Sequence, residues 1–347
     1  MVKKSEYRAL WECPSNIALV KYWGKKPAQL PLTPSFSFSL KKARTTTGVR
    51  LQPSSKRKVE FLFEGKPSPF ASRVEKYLAS MSLEHDWVND YSFFIESNNT
   101  FPHSTGIASS ASAFGALALC LVDLKQQVGG KEFTNQQFLQ KASRWARLGS
   151  GSACRSVFPS FALWGRLPGF PQSTDCNAIP VTDRFHPDYF LLHDAVLLVD
   201  STKKQVSSSA GHELMNGHIF KDSRIAQANN HLIELMKVMK KGDHERFFNI
   251  IENEALSLHA MMMTSDPSFI LLHPGSLAVI RKIREFRQQT GIAIGFTIDA
   301  GPNIHLLYFG YDKQKVHQFI EMELLQLTEE GKWLDDCIGD GPVKLMG

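Results

Sequence analysis

Five cysteines in 347 residues, none in Cys-x-x-Cys spacing, exclude a disulfide framework and a structural zinc finger. Cys13, Cys120, Cys154, Cys176 and Cys337 stand far apart, which fits reduced thiols and a cytoplasmic location. Twelve histidines are equally scattered, without His-Glu-x-x-His or any tight cluster, so no dedicated metal ligand is expected. Apolar runs such as residues 116–122 fall well short of the roughly 20 residues that span a bilayer, and Met1-Val2-Lys3-Lys4 leads into polar residues rather than a signal core. No membrane association follows from them. A Gly-x-x-x-x-Gly-Lys-[Ser/Thr] loop is absent. The nearest approach to a dinucleotide fingerprint, Gly149-Ser150-Gly151-Ser152, lacks the third glycine and follows a helical pattern instead of a strand. The net charge of +6 is moderate, and its densest cluster, Lys56-Arg57-Lys58, reads as a solvated turn. Without a basic stripe or reader motif, no nucleic-acid partner is expected; surplus cations suit small anions such as phosphates.

What is present is a chain 43% hydrophobic, long enough for a sizeable core and for about two domains. Strand-like and helix-like segments alternate without internal repeats, which places the fold in the α+β or α/β class. Residues 59–63 and 91–96 read as strands; between them Phe70, Val74, Tyr77, Leu78 and Met81 recur at helical spacing. Residues 111–122 form an apolar helix with no polar face, expected to be buried. Thr134 caps a helix whose Phe138, Ala142, Trp145 and Ala146 share a face and which ends near Leu148. The proline-rich passage 168–187 marks a boundary. Beyond it come a strand at 195–199, a long helix carrying Ile225, Ala228, Leu232, Leu235, Met236 and Met239, and a helix that begins at Ser276, carries Leu277, Ile280 and Ile283, and ends before Gly291. A hairpin then pairs 294–298 with 304–309.

Four segments combine small residues with charged or hydroxyl groups that could meet on one anion. In residues 102–111, a Ser/Gly loop runs straight into the apolar helix; such a loop can cradle phosphate at a helix N-terminus, and it is equally the form of an ordinary N-cap. In residues 14–25, Lys21 and Lys25 fall on one face of an extended chain, reaching one site together or lying exposed on an edge strand. Residues 149–156 gather Ser150, Ser152 and Arg155, whose planar fork suits carboxylate or phosphate. Asp299 follows an apolar strand and precedes Ala300-Gly301-Pro302-Asn303.

Asn16-Ile17-Ala18 with Lys21-Tyr22-Trp23-Gly24-Lys25, Gly106-Ile107-Ala108-Ser109-Ser110-Ala111, Gly149-Ser150-Gly151-Ser152-Ala153-Cys154-Arg155-Ser156 and Phe296-Thr297-Ile298-Asp299-Ala300-Gly301-Pro302-Asn303 occur in that order. In this the chain resembles the mevalonate diphosphate decarboxylases of the galactokinase, homoserine kinase, mevalonate kinase and phosphomevalonate kinase (GHMP) superfamily. Weaker echoes are Asn98-Asn99, Val206-Ser207-Ser208-Ser209 and His259-Ala260. The resemblance implies a two-domain α+β GHMP-kinase-like fold. Residues 1–185 would form an ATP-binding domain like domain 2 of ribosomal protein S5, and residues 186–347 a ferredoxin-like domain carrying the catalytic Asp. It implies ATP-dependent decarboxylation of mevalonate 5-diphosphate to isopentenyl diphosphate through a 3-phosphorylated intermediate, with ATP and Mg2+ as cofactors and a cytoplasmic homodimer as the assembly. A monophosphate decarboxylase, a mevalonate 3-kinase and an inactive nucleotide-binding relative are the alternatives. The implied catalytic groups are Asp299, Lys21 and Arg155. Substrate would meet Tyr22, Lys25, Arg73, Ser150, Ser152 and Arg155; nucleotide would meet Ser104, Gly106, Ala108, Ser109, Ser110 and Asn98. The chain departs from the family at Pro31-Leu32-Thr33-Pro34-Ser35, at Pro159-Ser160 in place of Gly-Gly, and at Leu271 in place of a tyrosine.

Overall fold

The computed structural model describes residues 5–102, 107–182, 185–200 and 208–346. Two long strands organise its first sheet. β1 (Tyr7–Val20) and β4 (Ser35–Pro53) run antiparallel along most of their length, with short β2 (Lys25–Lys26) and β3 (Leu30–Pro31) as a separate pair between them. Beyond β4 the sheet continues through β7 (Tyr91–Asn99), β5 (Val59–Phe63) and β6 (Lys66–Pro67), with β5 parallel to β7. β8 (Phe161–Trp164) pairs with β4 and β9 (Ala178–Pro180), and β14 (Val343–Met346) returns from the end of the chain to pair with β1.

Helices α1 (Ala71–Ser82), α2 (Ser109–Gly129), α3 (Asn135–Gly149) and the single turn α4 (Ala153–Ser156) belong to this first half. The Thr134 hydroxyl accepts from the Gln137 backbone N–H, and the Gln137 side chain returns the bond, a reciprocal cap that fixes where α3 begins. α2 is buried from Ala111 through Leu124 apart from the half-buried Ala113, as its apolar sequence predicts. Each large side chain it sequesters, Phe114 among them, stabilises the fold by about 1.5–3 kcal/mol.

The second sheet has the order β11 (Ile294–Thr297), β12 (Ile304–Phe309), β10 (Leu192–Leu197), β13 (Trp333–Cys337), antiparallel throughout. The predicted hairpin at 294–309 is therefore β11–β12. Around this sheet lie α5 (Ser208–Glu213), α6 (Lys221–Lys241), α7 (His244–Met263), α8 (Pro274–Thr290) and α9 (Lys313–Phe319). α6 and α8 match the predicted helices. No described helix is long and apolar enough to cross a membrane.

One apolar cluster spans the two sheets, packing Ile17, Leu19, Phe36 and Phe38 with Val196, Leu307, Phe309 and Phe248. A backbone knot reinforces it. Ser39 N donates to Ser160 O (2.8 Å), Ser160 N to Gly339 O (2.9 Å), and Gly339 N to Ser39 O (2.8 Å). Beside the knot, the Asp336 carboxylate accepts the backbone N–H groups of Lys41, Lys42 and Ala43 at 2.8–3.0 Å.

The expectation that Lys21 and Lys25 share one strand face is corrected by the structure. β1 stops at Val20 and the chain turns at Gly24 (φ +79°), so Lys25 starts another strand. The alternative of two exposed edge lysines also fails, because Lys21 is 1% exposed.

A Cβ on Gly339 would stand 2.3 Å from the Leu40 carbonyl oxygen, and neither backbone can yield without opening the knot. Gly339→Ala should therefore cost about 2–4 kcal/mol in chemical denaturation. A loss below about 0.5 kcal/mol would show that the two sheets do not depend on this contact.

Candidate active site

The end of β1 delivers Lys21 into the cleft between the sheets, where its Nζ lies 2.7 Å from Asp299 Oδ1. The ammonium side chain is 2% exposed and the carboxylate side chain 26%. Asp299 is positioned from the other sheet by the β11–β12 turn. Ser276 Oγ donates to Pro302 O (2.6 Å), and Asn303 Oδ1 accepts from Val199 N (2.8 Å) and Asp200 N (3.1 Å). His259 Nε2 lies 3.1 Å from the Asp299 carbonyl oxygen, giving the His259 echo in the sequence a place beside the aspartate.

Lys21 is also held by its backbone. Its N–H donates to Glu254 Oε2 (3.0 Å) on α7, and Glu254 is fully buried. Arg224 of α6 forks onto both Glu254 oxygens at 2.8 and 2.6 Å, and His231 Nδ1 lies 2.7 Å from Oε1. Burial by itself would raise the Glu254 carboxyl, but the Arg224 charge and the hydrogen bonds outweigh it and hold it at about 2. Sequence reasoning missed Glu254, Arg224 and His231, since they are far from Lys21 in the chain and form no motif.

Arg155 enters from α4 and is 2% exposed. Its Nε donates to Ser37 Oγ (2.9 Å) and Asn16 Oδ1 (3.3 Å), and Nη1 to Ser35 Oγ (2.5 Å). Burial lowers the guanidinium pKa, opposed in part by the Asp299 charge nearby. Asn16 Nδ2 completes the frame by donating to Ser152 O (3.1 Å) and Ser156 Oγ (2.7 Å). The divergent stretch 31–35 thus contributes Ser35 as an anchor for Arg155.

Two predicted groups meet at the start of α2, where Ser110 Oγ lies 3.3 Å from Ser150 Oγ. Ala108 occupies the N-cap and Ser109 and Ser110 the first turn, at the positive helix end, where Ser109 N donates to Ile107 O (2.6 Å) and Ala111 N to Ala108 O (2.8 Å). Ser104 and Gly106 lie outside the described residues, as do Val206 and Ser207.

The Tyr22 ring packs against Trp164 (4.6 Å) and His212 (4.4 Å) and over Gly151, where a Cβ would stand 2.7 Å from it. The Tyr22 hydroxyl is buried without a hydrogen-bond partner in the described structure, and burial raises its pKa. His212 accepts from Gly24 N (3.0 Å) and is held neutral, down to about 3, by burial and then by the Lys25 charge. Arg73 lays its guanidinium 4.9 Å from the Phe70 ring centroid and 5.3 Å from that of Phe114, and Phe114 abuts Gly149. Asn98 is not brought in. On β7 it is exposed and alternates with Asn99, which accepts from Thr45 Oγ1 (2.7 Å), in turn 2.6 Å from Ser112 of α2.

A buried ammonium beside a carboxylate, a buried guanidinium held by neutral oxygens and a serine-lined helix start can together bind a multiply charged anion and accept a proton from a hydroxyl.

Comparison with known proteins gives concordant matches. A diphosphomevalonate decarboxylase-like N-terminal domain model matches residues 13–177, and a mevalonate 5-diphosphate decarboxylase C-terminal domain model matches residues 195–336. The diphosphomevalonate decarboxylase of Ganoderma lucidum is 30% identical over 92% of this chain and 82% of its own length. The mevalonate diphosphate decarboxylase of Staphylococcus aureus superposes with a TM-score of 0.83 at 28% identity, covering 98% of both chains. That of Enterococcus faecalis, described with mevalonate diphosphate mediated ATP binding, does so at 0.83 and 26%, covering 99% of this chain and 100% of its own. A complex of MDDEF with MVAPP, AMPPCP and magnesium superposes at 0.82 and 26%, with the same coverage of 99% and 100%.

Glu254 carries a testable consequence for stability. Its carboxyl titrates near 4.5 when unfolded and near 2 when folded, so its contribution is fully present above pH 4.5 and lost as pH falls toward 2. Glu254→Gln leaves Arg224 buried without a counter-charge and should cost about 3–5 kcal/mol in urea unfolding at pH 7. The acid-dependent loss between pH 4.5 and 2 should shrink with it. Unchanged stability at pH 7 would remove Glu254 from the framework of the site.

Proposed function

This chain belongs to the diphosphomevalonate decarboxylase family, and from that membership and its site geometry we propose how its residues convert mevalonate 5-diphosphate to isopentenyl diphosphate. The reaction consumes ATP and releases ADP, phosphate and carbon dioxide. The observation that carries the residue assignment is the Lys21–Asp299 pair at 2.7 Å, in the cleft that Arg155, Ser150 and Ser110 also frame.

Asp299 orients the tertiary 3-hydroxyl and takes its proton as the hydroxyl oxygen attacks the γ-phosphorus of ATP and ADP leaves. Lys21 keeps the carboxylate ionised by opposite-charge pairing and offsets charge on the transferring phosphoryl group. The 3-phosphate then departs with its bonding electrons, the C1–C2 bond breaks to release carbon dioxide, and its electron pair forms the C2=C3 alkene. Arg155 aims the C1 carboxylate, held in place by Ser35, Ser37 and Asn16.

Tyr22, Lys25, Arg73, Ser150 and Ser152 hold the rest of the substrate, chiefly its diphosphate. The unpartnered Tyr22 hydroxyl supports this assignment, since a bound phosphate oxygen would satisfy it. Ser109 and Ser110, at the start of α2, would hold the triphosphate, and Mg2+ would be held mainly through the phosphate oxygens. Magnesium supplies charge neutralisation there. Ser104 and Gly106 extend the same cradle by sequence.

The domain division falls near residue 185, supported by family matches on either side of it, with the last strand crossing back to the first sheet. A cytoplasmic location is supported by five cysteines without disulfides. A homodimeric assembly rests on the family resemblance.

Asp299→Asn should lower carbon dioxide release by roughly 10^2–10^4-fold while leaving ATP-analogue affinity within a few-fold, measured by turnover and calorimetry side by side. Full activity in this variant would remove Asp299 as the base. Carbon dioxide release from mevalonate 5-phosphate and 5-diphosphate, compared at equal concentration, should favour the diphosphate. A preference for the monophosphate would reassign Lys25 and Arg73.

A further inference from the structure

Far from the cleft, the segment that leads into the second sheet meets the α6–α7 turn, and three potential metal ligands converge there. His186, Asp188 and His244 place donor atoms within 4.8 Å of one another, the one such His/Cys/Asp/Glu group of three among the described residues. The Asp188 carboxylate lies between the two rings. Its Oδ1 is 3.5 Å from His186 Nδ1, and its Oδ2 is 3.2 Å from His244 Nε2. Donors bound at about 2.0–2.2 Å around a tetrahedral ion stand about 3.3 Å from each other, and each imidazole lies at about that distance from a different oxygen of the one carboxylate.

The His244 contact is not an ordinary hydrogen bond. Its Nε2 is buried and has no hydrogen-bond partner, although a carboxylate oxygen lies 3.2 Å away. His186 Nδ1 has one competing contact, a long hydrogen bond of 3.4 Å from Asp188 N.

Both rings are set by packing before any ion arrives. His244 lies against Phe309 (ring centroids 4.3 Å apart) and Tyr189 (5.6 Å). His186 rests over Gly242 (φ +75°), where a Cβ would come within 3.0 Å of the ring, and its backbone N–H donates to Met239 O (2.9 Å) near the carbonyl end of α6. That helix end favours a cation and offsets the opposite tendency at the start of α7. Side-chain exposures of 44%, 29% and 21% for His186, Asp188 and His244 leave a way in and room for a water ligand.

We propose that His186, Asp188 and His244 form a site for a borderline divalent transition ion, with zinc as the best fit, that clips the entry of the second sheet to the α6–α7 turn. Two imidazoles and one carboxylate suit zinc, whereas magnesium prefers an all-oxygen shell, so this site is chemically separate from the magnesium of the nucleotide. It lies ten residues, about 15 Å, along α7 from Glu254 and acts as a structural clip.

The test titrates Zn2+ into the untagged, full-length protein by calorimetry with excess Mg2+ present, and follows Tm with and without zinc. One zinc should bind per chain and raise Tm. His244→Ala and Asp188→Asn should each weaken binding by at least about tenfold, the loss already typical of outer-shell partners, and abolish the Tm rise. If His244→Ala fails to fold, His186→Gln, at the more open ligand, should give the same loss of binding. Absence of saturable zinc binding, or binding unchanged in the variants that fold, would overturn the proposal.

Discussion

Burying the Lys21 ammonium is the constraint from which the cleft is built. An uncompensated charge costs several kcal/mol in such a place, and β1, which ends one residue before Lys21, has no carboxylate of its own at that end. The counter-charge comes from Asp299 on the other sheet, so bringing the two halves together and neutralising Lys21 are one event. The same need recurs one step outward. Glu254, which takes the Lys21 backbone N–H, is itself buried, compensated by the Arg224 charge and hydrogen-bonded to His231. A chain of paired charges therefore runs from the cleft into α6.

Arg155 is held on the opposite principle. Its contacts are hydroxyl and amide oxygens of Ser35, Ser37 and Asn16, which fix the guanidinium plane without cancelling its charge. Lys21 is matched inside the protein, whereas the positive charge of Arg155 is left for an incoming anion. That difference fits the roles proposed for them, Lys21 tuning a carboxylate and Arg155 orienting that of the substrate.

Local features of the fold were legible in the sequence because their causes are local. The Thr134 cap, the buried α2 and the β11–β12 hairpin each follow from spacing within a dozen or so residues. α7 was not read, because Glu252 and Glu254 interrupt its apolar pattern although both are buried. Residue types at the site were legible through four short motifs, but partners contributed from far along the chain were not. Nothing near Lys21 announces Glu254, and nothing near His186 announces His244. Asn98, an echo in sequence, falls on the exposed row of β7, where strand alternation sets it opposite to Asn99.

The missed helix explains how the Lys21–Asp299 distance is kept. Glu252 receives Arg284 and Arg287 of α8, while Glu254, two positions on and thus on another face, receives Arg224 and the Lys21 backbone. Five residues further, about 7.5 Å along the axis, His259 meets the Asp299 carbonyl. One helix thus holds the backbone of the lysine with one side chain and the backbone of the aspartate with another. Since the helix is braced by a buried ion pair to α6 and part-buried ones to α8, neither member of the pair can drift without moving α7 against α6 or α8. The precision of the cleft is set in a helix that contributes neither the ammonium nor the carboxylate.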